Sequence, residues 1–157
     1  MGDGVVDNSE FAICENLIYP ILKEVWKIYR QDFILWSHKS LSCGEQLSGF
    51  PEYILAKCSP LGKVVFDRPH FILVEAKQDN FEMGWAQFLA EMIVAQKLNS
   101  ENRVIVFGIV SNGTTWQFDK FTRNITPFTI YELDKLFAVV NFVFKQSEIQ
   151  LNNLVVM

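Results

Sequence analysis

The sequence predicts a single α/β domain in which helices flank a mixed central sheet of about five strands. Short apolar segments rich in β-branched residues alternate with segments of helical spacing, in the order helix, strands, helix, hairpin, helix. The length of 157 residues and a hydrophobic share of 50% support one sizeable core and argue against a second domain. Residues 1–157 are therefore expected to form one domain.

The first predicted element is a helix that begins near Ser9. Apolar residues recur there at three- and four-residue spacing, as on the buried face of a helix. They are Cys14, Ile18, Ile21, Leu22, Val25 and Tyr29. Pro20 within this pattern should kink the helix or divide it into two, because proline lacks a backbone N–H donor. Residues 33–47 are ambiguous and could hold a strand followed by irregular chain.

The middle of the chain predicts two strands and a crossover helix. Residues 52–56 form a short strand after the break at Gly49-Phe50-Pro51. Turns are expected at residues 60–62 and at Arg68-Pro69, and the second turn precedes the apolar run Phe71–Val74. Such a run fits a central strand that is covered on both faces. Helical spacing then predicts a helix over residues 81–98, which should cross the sheet.

The C-terminal part predicts a hairpin and a final helix. Residues 104–110 form an apolar strand, Asn112-Gly113 predicts a two-residue type I′ turn, and the returning strand is Thr115–Phe121. Thr129 and Glu132 have the spacing of a capping box, after which an amphipathic helix begins. The apolar strip at residues 139–144 and the apolar tail at residues 151–157 suggest a homodimer interface.

Charge and targeting signals exclude several classes of protein. The first ten residues lack the basic and apolar regions of a secretory signal, and no apolar run reaches the ~18–20 residues that span a bilayer. We therefore expect a cytoplasmic protein that does not bind a membrane. The net charge of −4 argues against a surface coated for nonspecific nucleic-acid binding, although a local basic groove remains compatible with it.

The cysteines and histidines are too dispersed for a structural zinc site. Cys14, Cys43 and Cys58 form no C-x-x-C pair, and His38 and His70 are separate from them in the sequence. A structural zinc ion needs four closely arranged ligands. Reduced cysteines in a cytoplasmic protein are the expected state.

The strongest candidate for chemistry lies where the most apolar strand ends. Glu75 and Lys77 occupy positions i and i+2, so on a strand their side chains point to the same face. Glu75-Ala76-Lys77 is the one Glu-x-Lys or Asp-x-Lys sequence in the chain. Glu52 begins the preceding strand, and an antiparallel pairing would bring it against Glu75. Two adjacent carboxylates are costly unless a cation or a proton lies between them.

This pattern resembles the PD-(D/E)XK nuclease superfamily, whose fold is restriction-endonuclease-like. The resemblance implies that Glu52 and Glu75 hold Mg²⁺ or Mn²⁺ and that Lys77 positions the attacking water during phosphodiester hydrolysis. It also implies supporting roles for Glu15 on the first helix and for Gln87 on the crossover helix. The expected partner is nucleic acid, DNA rather than RNA. The family usually has aspartate where this chain has Glu52, and Asp67 is a rival for that position.

Simpler interpretations exist for each of these residues. Glu75 and Lys77 could form a surface ion pair, and Glu15 could extend to the edge of its helix. Gln87 and Glu91 have the i, i+4 spacing of a solvated helix face. The alternative function is a catalytically inactive module that keeps the nuclease fold and binds nucleic acid or protein. A small α/β hydrolase is a weaker option, because the chain has no G-x-S-x-G sequence.

Overall fold

The computed structural model describes residues 10–45, 47–78, 81–99, 104–120 and 126–155. The strands in this part of the chain are β1 (Phe33–Ser37), β2 (Leu41–Cys43), β3 (Leu47–Gly49), β4 (Tyr53–Ser59), β5 (Gly62–Ala76), β6 (Phe107–Ser111), β7 (Thr115–Asp119) and β8 (Thr126–Thr129). The α-helices are α1 (Glu10–Ile13), α2 (Tyr19–Tyr29), α3 (Phe81–Leu98) and α4 (Leu133–Val155). None of these described helices combines the length and the apolar character that crossing a membrane requires.

Six of the strands form one mixed sheet in the order β1-β4-β5-β6-β7-β8, and β2 pairs separately with β3. β1, β4 and β5 form an antiparallel meander. β5 and β6 are parallel, and α3 provides the crossover connection that a parallel pair requires. The predicted α/β class, with a mixed sheet and flanking helices, is confirmed, and the sheet has six strands where about five were expected.

Helices cover both faces of the sheet. α3 packs over one face in a buried cluster that includes Ile54, Leu73 and Trp85. On the other face, α2 and α4 pack over a cluster that includes Leu55 and Val74. Neighbouring strand residues such as Ile54 and Leu55 therefore belong to opposite layers, as the two-residue period of a strand requires.

The first helix is divided, as Pro20 predicted. Residues 14–18 form a π-helical turn in which the N–H of Tyr19 donates to the carbonyl of Cys14, five residues earlier. Pro20 has no N–H for the carbonyl of Asn16, and its ring would crowd that carbonyl in a regular α-helix. The wider turn relieves this conflict and rotates α2 relative to α1.

The prediction of a turn at Arg68-Pro69 is wrong, because β5 continues through these residues. Ala56 of β4 pairs with His70, and Cys58 pairs with Phe66, so three residues of β5 lie opposite Lys57 alone. This arrangement is a bulge, a place where a strand accepts a proline that cannot donate to its neighbour.

The hairpin between β6 and β7 forms where it was predicted, with a different turn. The N–H of Asn112 donates to the carbonyl of Thr115 at 3.3 Å, so Gly113 and Thr114 are the central residues. Of these two, Gly113 alone has a positive φ, 91°. That pattern is type II′, not the type I′ expected from Asn112-Gly113.

Several boundaries differ from the prediction. β4 runs to Ser59 instead of ending at residue 56, and β6 begins at Phe107 instead of residue 104. The ambiguous residues 33–47 contain β1 and lead into the β2–β3 hairpin. Ser9, the expected start of the first helix, and Phe121, the expected end of the returning strand, lie outside the described residues.

The final helix begins without the predicted capping box. Residues 130–132 form a 3-10 turn to which Thr129 makes no side-chain capping bond, and Glu132 accepts instead from Lys135 at 3.1 Å. In the apolar strip that suggested a dimer interface, Val140, Val143 and Phe144 are buried in the core, whereas Phe142 is 57% exposed. Residues 156 and 157 of the apolar tail are outside the described part.

Candidate active site

The end of β5 directs Glu75 and Lys77 toward α3. Leu73 belongs to the core under α3, and the two-residue period places Glu75 and Lys77 on the same face. Glu75 is 9% exposed. The stem of Lys77 lies against Gly84, where a Cβ atom would come within 2.8 Å of the lysine Cγ. Glycine on α3 therefore makes room for the lysine.

Glu52 lies beside Glu75 on the neighbouring antiparallel strand. Its N–H donates to the carbonyl of Val74 at 3.0 Å, which extends the β4–β5 pairing by one residue. Its carboxylate accepts the N–H of Ala76 at 3.1 Å. The side chain is thus held at the end of β5. Asp67, the rival for this position, lies eight residues before Glu75, more than ~20 Å along the strand. The geometry favours Glu52.

Glu91 is a third carboxylate in the same place. Its Oε1 accepts the N–H of Phe50 at 3.3 Å, and its Oε2 is buried without a hydrogen-bond partner. The backbone of Gly49 lies so close that a Cβ there would be 2.5 Å from the Cγ of Glu91. The β2–β3 hairpin therefore covers this part of α3, and Glu91 does not lie on the solvated face that its spacing with Gln87 indicated.

Burial and two neighbouring carboxylates raise the affinity of Glu75 for a proton. Burial, followed by the neighbouring charges of Glu52 and Glu91, raises the pKa of Glu75 to about 9. Burial also raises the pKa of Glu52 and the pKa of Glu91, although backbone N–H donors and a side-chain hydrogen bond with Glu75 oppose both shifts. Glu75 Oε2 is buried without a hydrogen-bond partner. Without a cation, the cluster therefore holds a proton at neutral pH.

Lys77 links this cluster to two helices. Its Nζ lies 3.5 Å from Oε1 of Gln87 on α3 and 4.0 Å from Oε1 of Glu10 on α1. Glu15, the expected acid of the first helix, is exposed on the π-helical turn. The turn changes the phase of the helix, so the regular spacing that placed Glu15 with Ile18 does not apply. Glu10 is the residue of this helix that approaches the site.

The structure thus brings together four of the five residues proposed from the sequence: Glu52, Glu75, Lys77 and Gln87. It adds Glu10 and Glu91, and it leaves Glu15 at the surface. Carboxylates lie on both sides of the Lys77 ammonium group. Lys77 would therefore already be oriented when an anionic substrate binds.

The thiol of Cys14 is buried near the acidic cluster. Burial and the charge of Glu52 raise the pKa of Cys14 to about 12, and its side chain is hydrogen-bonded with Tyr53. A thiol in this environment stays protonated, so Cys14 is not a nucleophile. All three cysteines are free.

The residues fit a divalent cation held by two carboxylates. No group of three His, Cys, Asp or Glu side chains within the described ranges is arranged to hold a metal ion. Mg²⁺, however, is commonly bound by one or two protein carboxylates and keeps several water ligands. Glu52 and Glu75 can supply these two ligands, and the unpartnered Oε2 of Glu75 is the oxygen that such an ion would satisfy.

Comparisons with known proteins found no match. No protein-family model, no curated protein and no solved structure matches the chain. The chemistry of the site is therefore judged from its residues and their geometry.

Proposed function

We propose that this protein hydrolyses phosphodiester bonds in nucleic acid, with Mg²⁺ or Mn²⁺, in the manner of PD-(D/E)XK nucleases. The observation that carries this proposal is the convergence of Glu52, Glu75 and Lys77 at adjacent strand ends under α3. The element order supports it. A first helix, the meander β1-β4-β5, the crossover α3 and the parallel strand β6 follow the restriction-endonuclease-like arrangement that the sequence resembles.

Glu52 and Glu75 would hold the cation. When bound, the cation would supply Lewis-acid activation of water and offset negative charge on the phosphate. Glu75 must release its proton first, because a metal ion binds the deprotonated carboxylate. Glu52 is already positioned for this task, since the N–H of Ala76 fixes one of its oxygens.

Lys77 would act on the reacting groups by its charge. Its Nζ, held between Gln87 and Glu10, is placed to orient the attacking water and to stabilise charge that develops on the phosphate. Gln87 is a positioning residue in this scheme, because its side chain contacts the lysine. DNA is the favoured substrate, with RNA as the other nucleic acid to be tested.

The second candidate is an inactive module that keeps this fold. One feature favours it: because burial, Glu52 and Glu91 raise the pKa of Glu75, a shared proton could stabilise the carboxylates in place of a cation. Such a module would bind nucleic acid or protein and would not cut it.

Lys77→Met separates the two candidates. Methionine removes the charge and keeps a similar apolar stem against Gly84, so the fold should survive. An enzyme should lose about 10²–10⁴-fold of its Mn²⁺-dependent cleavage rate on single- and double-stranded oligonucleotides while keeping metal binding. Lys135→Met, on the exposed start of α4, is the matched control and should cut at the wild-type rate.

Two outcomes would refute the nuclease proposal. If wild type is as inert as Lys77→Met on DNA and RNA, the chain is a binding module. If wild type and Lys77→Met cut equally, Lys77 has no role in the reaction, and the site assigned here is wrong.

A further inference from the structure

A run of aromatic rings lies at the same end of the sheet as the acidic cluster, and the proposed reaction does not use it. Tyr19 and Tyr53 stack with ring centroids 5.7 Å apart and planes inclined by 20°. The ring of His38 contacts Tyr53 at 6.2 Å. We name Tyr19, Tyr53 and His38 the aromatic platform, and we propose that it binds the unpaired bases of a single-stranded nucleic acid. This inference rests on the proposed function and adds its substrate class.

The chain connects the aromatic platform directly to the cluster. Tyr53 follows Glu52, and the N–H of His38 donates to the carbonyl of Glu52 at 2.8 Å. Tyr53 belongs to the core cluster under α2 and α4, whereas Glu75 lies on the face covered by α3, so the rings and the carboxylates lie on opposite faces at the same end of the sheet. A strand whose phosphate lies at Glu52 and Glu75 would pass around this end of the sheet to bring its neighbouring bases to the rings.

The exposure of the rings suits stacking by bases from solution. Tyr53 is buried and serves as the support, whereas Tyr19 is 36% exposed and His38 is exposed. Every base has an aromatic face, so such rings bind single strands with little regard to sequence. Bases within a duplex are already stacked and paired, and they cannot reach the rings without being unpaired.

Two lysines supply positive charge along this edge. Lys23 Nζ lies 5.8 Å from the centroid of the Tyr19 ring, and Lys39 Nζ lies 5.0 Å from that of Trp36. Neither lysine forms an ion pair with another described residue. Both can turn from the ring to a phosphate, which gives a local cationic edge on a protein of net charge −4.

The backbone of His38 is held in an unfavourable conformation. Apart from glycine, His38 is the one described residue with a positive φ, 54°. Residues in this region are uncommon and concentrate at binding sites, where the surrounding structure keeps them in place. Here the left-handed turn ends β1 and keeps the ring against Tyr53.

Binding of fluorescent 12-nucleotide strands tests the inference. Anisotropy is measured with single-stranded DNA and with the matching duplex in Ca²⁺, and gels verify that the probes stay intact. The single strand should bind at least tenfold more tightly than the duplex at the same salt concentration. Tyr19→Ala should weaken single-strand binding by about 5- to 150-fold, the loss expected for one stacked base.

Two further variants make the test specific. His38→Asn removes the ring but keeps a residue that tolerates a positive φ, and it should also weaken single-strand binding. Tyr131→Ala removes a tyrosine that is 88% exposed on the turn before α4, so it is the matched control and should bind like wild type. Melting temperatures verify that each variant is folded.

The outcomes distinguish this inference from the nuclease proposal. Equal affinity for single strand and duplex, or wild-type binding by both Tyr19→Ala and His38→Asn, overturns the aromatic platform even if Mn²⁺-dependent cleavage is found. Weakened binding by both variants, in a protein that never cuts, supports the aromatic platform and removes the nuclease. Weakening by Tyr131→Ala to the same extent would mean nonspecific adhesion and would also overturn the inference.

Discussion

We expect this protein to lose stability at alkaline pH, and replacing Glu75 with glutamine should reverse much of that loss. In the folded chain the pKa of Glu75 is raised from 4.5 to about 9 by burial and by Glu52 and Glu91. Between these two values the folded state binds more protons than the unfolded chain, so the free energy of unfolding falls as the pH rises. The stabilisation is complete below pH 4.5 and is lost as the pH passes through about 9.

The magnitude follows from the size of this change. A tenfold change in a protonation equilibrium is worth ~1.4 kcal/mol, so the full range from 4.5 to about 9 sets an upper limit of ~6 kcal/mol. The three carboxylates titrate together and share protons, so we expect roughly 2–4 kcal/mol of this for the whole cluster. Glutamine has a similar shape but does not ionise, and Glu75→Gln should remove most of the dependence.

Urea unfolding at intervals between pH 5 and pH 9, in EDTA, measures the effect. Wild type and Glu75→Gln should have similar stability at pH 5, and the variant should be more stable by ~2 kcal/mol or more at pH 9. Glu24→Gln, which changes an exposed glutamate of α2, is the control and should follow wild type.

The titration of His70 does not affect this comparison of wild type with Glu75→Gln. Burial lowers its pKa to about 4, so its contribution is complete above pH 6.5 and is lost as the pH falls through about 4. That loss occurs on the acid side and is common to both proteins. Parallel stability curves for wild type and Glu75→Gln across pH 6.5–9 would refute the shared-proton cluster.

Two other predictions concern the metal and the core. At a fixed Mg²⁺ concentration, ~100 times the dissociation constant at pH 8.5, the melting temperature of wild type should rise by about 5–10 °C at pH 8.5 and by less at pH 6.5, because Glu75 must lose its proton to bind the ion. Glu75→Gln should show no such rise in differential scanning fluorimetry, and a rise equal to that of wild type would count against the site. Asn99→Ala should cost ~2–4 kcal/mol, because the buried Asn99 side chain accepts the N–H and donates to the carbonyl of His70, both at 2.7 Å. A change below ~1 kcal/mol in urea unfolding would show that these two bonds contribute little.

The residues of the site differ in how far local sequence could predict them. Glu75 and Lys77 could be found because the two-residue period of a strand is a local rule, and Glu52 because a short turn joins its strand to theirs. Glu91 could be placed on the helix near the site, but its burial could not be predicted, since that depends on a hairpin more than forty residues earlier in the chain folding over α3. Glu10 was missed because a π-helical turn, not a regular helix, separates it from α2.

The strand at Arg68-Pro69 is another feature that local sequence could not predict. Proline next to charged residues normally predicts a turn, and the local pattern gives no sign that the strand continues. Continuation depends on β4, which keeps pairing on both sides of the bulge. Pairing between distant residues therefore decided the outcome against local preference.

The bulge in β5 also helps to keep the distance between Glu52 and Glu75 constant. A one-residue slip between β4 and β5 would turn Glu75 away from α3 and put Ala76 in its place. The two acids lie at one end of this pair of strands, and the connecting turn at Pro60 lies at the other, with the bulge between them. An insertion or deletion near the turn can be absorbed by lengthening or shortening the bulge. The pairing of Tyr53 with Val74 then stays in register, and the length of the hairpin can vary while the distance between the acids does not.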